Sequence, residues 1–228
     1  NLISGSTVRY INSTATIKSS FTYDNLQLTN NCSGTTDGDL TVNGTLTISS
    51  GSALLPLSAT NTIGGSGTLT GGGNVCVKHT GSATDFAAQF PITTTILTGL
   101  TVGFEGSAPQ NVDGLAYHGL TISNLSGATL NGTTTVSGTL TLWSGTLTNG
   151  TNLTLGNVAT IVMAAGSLSA NPTYAGTINI TYAGSGSSQT TGAGNEFPST
   201  DILNNLAISN TSGVILDRDV TVNGNLNF

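Results

Sequence analysis

The chain has 228 residues, of which only 14 are charged, and a net charge of −6. Charged residues normally make up about a quarter of a globular chain, and the four bases here are scattered as Arg9, Lys18, Lys78 and Arg218. That spread excludes an electrostatic nucleic-acid surface, and no apolar run approaches the ~18 residues of a membrane-spanning helix.

Glycine is abundant, at 31 residues, and the aliphatic residues alternate with Thr and Ser. Disordered chains of low hydrophobicity carry more net charge and fewer β-branched residues, whereas Thr, Val and Ile suit a pleated strand. The composition therefore describes a folded, β-rich protein.

In chain order, Asn1 to Ser6 reads as a strand edge rather than a cap, and three blocks follow: Thr7-Val-Arg-Tyr10, Asn25-Leu-Gln-Leu-Thr-Asn30 and Leu40-Thr-Val-Asn-Gly-Thr-Leu-Thr-Ile48. Gly64-Gly65-Ser66-Gly67 and Gly71-Gly72-Gly73 mark sharp bends. Val75 and Val77 predict a short strand around Cys76, and Thr80 to Gln89 predicts an excursion loop or a single helical turn. The blocks then return as Thr101-Val-Gly-Phe104, Gly119-Leu-Thr-Ile-Ser-Asn124 and Thr134-Thr-Val-Ser-Gly-Thr-Leu-Thr-Leu142. From Leu120 to Leu155 the apolar residues fall on alternate positions, the signature of strands with one dry and one wet face.

Asn171-Pro172 is a turn signal. A third set of blocks is Asn179-Ile-Thr-Tyr182, Asn205-Leu-Ala-Ile-Ser-Asn210 and Val220-Thr-Val-Asn-Gly-Asn-Leu-Asn-Phe228. The first and second sets are offset by 94 residues throughout; the second and third by 78 and then 86. Conserved block order at a long period marks an internal repeat. The sequence starts without Met and stops at Phe228 inside a unit, so it reads as a mature product or an excised fragment with strand edges at both ends.

Short two-faced strands cannot bury their apolar side alone, but stacked coils bury a continuous core. The expected architecture is an all-β parallel β-helix, a single solenoid over residues 1–228 containing long repeats at about 1–99, 100–176 and 177–228. With about 20 residues per coil, roughly 11 coils at ~4.8 Å give a rod of about 50 Å. The competing architecture is a tandem of antiparallel β-sandwiches, with Asn43-Gly44 and Asn223-Gly224 as hairpin turns.

Chemistry is sparse. His79 and His118 lie far apart without a nucleophile partner, and neither a nucleophile elbow nor a phosphate-cradling loop occurs; no enzymatic activity is expected. Asp37 and Asp39, with Asp217 and Asp219 at the equivalent repeat position, could offer oxygens to Ca²⁺, or simply cap their own turns. Trp143, the only tryptophan, should point outward beside inward Leu140 and Leu142. There it could stack on a sugar or fill a neighbour's pocket, or fold over the next coil. Cys32 and Cys76 could pair across a 44-residue loop, a bridge of about 4 kcal/mol on loop-entropy grounds, or remain two separate buried thiols.

The blocks TVNGTLTISSG, NLSGATLNG and GNEFPSTDILNNLAIS resemble the repeats of very large secreted bacterial surface proteins, adhesins and cell-surface filaments among them. The resemblance implies an extracellular or cell-surface location and a structural or adhesive role. It also implies partners that are copies of the chain, neighbouring segments of a longer polypeptide, or surface glycans.

Overall fold

The computed structural model of the chain describes residues 2–228. Every strand pairing among them is parallel, and the strands stack into a β-solenoid of about 11 turns. The first coil comprises Thr7–Tyr10, Thr14–Ile17 and Thr22–Tyr23. Asn25–Leu28 then returns to lie on Thr7–Tyr10, with Val8 opposite Leu26. The expectation for Asn1 lies outside the described residues.

The central wall is a sheet of thirteen strands. One inward column runs its length, rung by rung: Ala15, Gly34, Leu54, Val75, Val102, Leu120, Leu140, Ile161, Ile180, Leu206 and Leu226. From Leu54 to Leu206 these side chains are buried. Burying each Leu or Ile stabilises the rod by about 1.5–3 kcal/mol, and each fills the space between the residues above and below. Gly34 is the exception in the column, because a Cβ there would lie 2.7 Å from both Ile17 Cδ1 and Leu28 Cδ2.

The sandwich alternative fails on strand direction. Asn43-Gly44 makes a corner between walls and not a hairpin: the Asn43 and Gly44 amides donate to Tyr23 and Asp24 on the rung below. Ile63–Gly71 bends through the next corner, pairing first with Leu40–Val42 and then with Thr45–Ile48. At that bend a Cβ on Gly67 would sit 2.1 Å from the Gly44 oxygen, so only glycine lets the rungs approach.

Successive turns usually take 18–23 residues, as Val8, Leu26, Leu46 and Leu69 show. Two turns are longer. The step from Val75 to Val102 accommodates the predicted excursion, which contains the helix Asp85–Gln89. The step from Ile180 to Leu206 accommodates a second excursion that the sequence reading did not isolate.

The long repeat is not a whole number of coils. Thr7–Tyr10 lies in the seven-stranded sheet, whereas its equivalents Thr101–Phe104 and Asn179–Tyr182 both lie in the thirteen-stranded sheet. The second and third copies are four rungs apart on one wall; the first copy faces another way.

Candidate functional site

Each of the two long turns holds a buried carboxyl group in a hydrogen-bonded network. In the first, the Asp85 carboxyl group is fully buried. Its Oδ1 accepts from the Ser82 amide at 3.0 Å and lies 2.9 Å from His79 Nδ1, and its Oδ2 accepts from the Asn111 amide at 2.7 Å. Asp113, one rung on, accepts from the Phe86 and Ala87 amides at 3.0 Å each. Those N–H groups belong to the first turn of the helix and have no partner within it, so a neighbouring coil caps this helix. Burial pushes the Asp113 carboxyl up from its ordinary range, and the two amides pull it down.

Gln89 is also fully buried. Its oxygen accepts from the Lys78 and His79 amides, and its nitrogen donates to the Ser58 and Asn61 carbonyls. This excursion is a satisfied clasp, consistent with the rule that buried polar groups carry hydrogen bonds.

In the second long turn, buried Glu196 accepts from the Gly192 and Gly194 amides at 2.6 and 3.0 Å and from the Tyr182 hydroxyl. Burial, reinforced by Glu196, raises the Tyr182 phenol above its ordinary range. Arg218 lies 5.2 Å from the Phe197 ring centroid and pairs with Asp201 and Asp217.

The sequence reading missed this pair of networks, although a local signal marks them. Gln89-Phe90-Pro91 and Glu196-Phe197-Pro198 are the same motif with one atom exchanged, each placing a buried side-chain oxygen over backbone amides. A second shared pair is Gln110 and Gln189. The nitrogen of each donates to two carbonyls of the rung below, and the oxygen of each accepts from a glycine amide and from an asparagine, Asn124 or Asn210.

The two networks differ in what lies beside them. Around Gln110 the helix Asp85–Gln89 fills the rung below the strand Gln110–Asp113. Around Gln189 no helix is present. The four-stranded side wall stops at Ser167–Leu168, and Gln189–Thr190 pairs only with Val214–Ile215. A groove of about 420 Å³ opens in that break, bounded by Met163 to Ser167 on one side and by Ser187 to Thr190, Ala193 and Gly194 on the other.

Trp143 projects outward as expected and is 57% exposed, while Leu140 and Leu142 are buried. Its carbonyl accepts from the amide of Ala165, a residue of the groove's edge.

Of the two readings for the cysteines, the structure has the second: Cys32 and Cys76 are separate, buried, free thiols. Ser33, Ala53 and Asn74 share a column, so the cysteines stand two rungs apart and three positions out of line. That is roughly 14 Å between Cα atoms, twice what a bridge spans. Cys76 donates to Glu105 at 3.2 Å; burial and that carboxylate push its thiol up, and burial alone does so for Cys32. We therefore expect neither thiol to react with Ellman's reagent in the native protein and both to react in guanidinium. Rapid native labelling, or no free thiol after unfolding, would contradict this arrangement.

The four aspartates at equivalent repeat positions do not meet. Asp37 is occupied by the Ser19 amide and the Lys18 ammonium, which hold its carboxyl down at about 2. Asp39 accepts from the Thr62 amide, and Asp217 from Thr191 and Arg218. Among the described residues no three His, Cys, Asp or Glu side chains converge. Nor do these acids cap their own turns: Asp37, Asp39 and Asp217 take donors from other rungs, 18, 23 and 26 residues away. Calcium or a chelator should shift the melting temperature by less than about 1 °C, since only a ligand bound to the folded state stabilises it.

No protein-family model, curated protein or solved structure matches the chain.

Proposed function

We propose that the chain is a structural rod: a stalk or surface-assembly segment of an extracellular bacterial repeat protein, without enzymatic activity. The observation that carries this reading is the inward column from Ala15 to Leu226, which runs through eleven rungs of one wall. A continuous hydrophobic stack resists bending at every rung, which is the mechanical property a spacer needs. The low charge and the Thr- and Asn-rich outer faces suit an exported surface protein.

Growth of the rod is end to end. The outermost strands of the central wall, Thr14–Ile17 and Leu226–Asn227, are each paired on one side. Unpaired strand edges template further strands, and head-to-tail stacking of this kind extends without closing. Electron micrographs of the purified chain over a concentration series test this. Rods of about 50 Å that lengthen in whole multiples support it, and compact particles of unchanging size overturn it.

A further inference from the structure

We propose that the groove beside Gln189 is a binding site for a neutral oligosaccharide, with the Trp143 indole as its stacking platform. The site is independent of the rod's mechanical role. Three observations converge on it. The groove, at about 420 Å³, falls within the size range of small-ligand sites. It occupies a rung that the first long turn fills with its own helix, so the solenoid has a break in its wall here that the chain elsewhere closes.

The second observation is the chemistry of the lining. All the residues bounding the groove are uncharged, and the exposed hydroxyls of Ser185, Ser187 and Ser188 stand along its rim. Hydroxyl groups both donate and accept, which matches the alternating donors and acceptors of a neutral sugar. An anionic polymer would find no cationic partner in this lining. The carboxyl group nearest in sequence, Glu196, is buried and already takes three donors.

The third is Trp143. The residue is 57% exposed on the outer face and stands one rung from the groove's edge, its carbonyl tied to the Ala165 amide. Aromatic rings present a large apolar face with a polar handle, and the C–H face of a pyranose is its natural complement. The rung spacing of ~4.8 Å sets one sugar ring over the indole with its neighbour entering the break between Ala165 and Ser188.

Because Trp143 is the only tryptophan, its emission is a specific reporter. Cellohexaose, xylohexaose, laminarihexaose, mannohexaose and chitohexaose would be titrated against the full chain, with polygalacturonate as the acidic comparator. At least one neutral hexasaccharide should change the emission saturably. Calorimetry with that sugar should show about tenfold weaker binding for both Trp143→Ala and Ala165→Arg, the second of which obstructs the groove from an exposed position. Val158→Ala, exposed and outside the groove, should bind as the parent does. Circular dichroism melting confirms that each variant folds. No saturable response to any neutral hexasaccharide up to about 10 mM overturns the proposal. So does a response to polygalacturonate alone, or binding that survives either Trp143→Ala or Ala165→Arg. None of these outcomes bears on whether the chain forms rods.

Discussion

Gly145→Ala should destabilise the rod by about 4 kcal/mol or more, placing it among the rare severe single substitutions. Gly145 has φ +74°, a left-handed conformation that costs an L-residue about 1–2 kcal/mol. The larger part of the effect is steric. A Cβ there would lie 1.8 Å from the Asn124 oxygen and 2.9 Å from its carbonyl carbon, both backbone atoms of the adjacent rung. Neither rung can yield cheaply: the Asn124 oxygen accepts from Gly127 at 2.9 Å, and the Gly145 oxygen accepts from Ser167 at 3.0 Å.

Gly81→Ala is the matched control, with φ +88° but nothing within 4 Å of the added carbon. It should cost only the conformational term, about 1–2 kcal/mol. Urea denaturation of the two variants separates strain within a residue from pressure between rungs. Equal midpoints would show that the rungs separate freely at this corner.

Asp85→Ala should cost about 3–5 kcal/mol, because it leaves several buried donors without an acceptor. Three donors lose their acceptor at once: the Ser82 amide, the Asn111 amide and His79 Nδ1. Each buried unsatisfied group costs about 1–3 kcal/mol, and the sum is discounted because His79 retains access to water, its side chain being 27% exposed. For the same reason His79→Ala should cost only about 1 kcal/mol.

Repeat arrays open locally as well as globally, so hydrogen exchange is the sharper measurement. In Asp85→Ala the Ser82, Phe86, Ala87 and Asn111 amides should lose protection before those of the central wall. Unchanged protection at Asn111 would show that Asp85 does not hold the excursion to the strand Gln110–Asp113.

The period-two alternation made burial legible. Leu120, Ile122, Leu140 and Leu142 are inward and Trp143 is outward because a strand wet on one face records its orientation directly in residue type. The helical turn between Thr80 and Gln89 was legible for the opposite reason, as the least strand-like piece of the chain.

What the sequence concealed is distance between rungs. Repeat equivalence put Asp37 and Asp217 together on paper, but their coils lie near opposite ends of the stack. Cysteine spacing gave a loop length and no register. The buried carboxyl groups were hidden most deeply, since Asp85 and Asp113 draw donors from residues 26 and 27 positions away. Only the fold supplies those partners, and an acidic residue amid Thr and Ser otherwise reads as solvated.

The placement of the first repeat copy on a different wall from the later two has a consequence for how such a chain can diversify. Duplicating a segment that spans a fractional number of windings turns the new copy to another compass bearing around the axis. Ancestral and derived surfaces then look out on different neighbours, so identical sequences come under different selection from the moment they arise. A fibre lengthened this way acquires distinct sides without inventing any new building block.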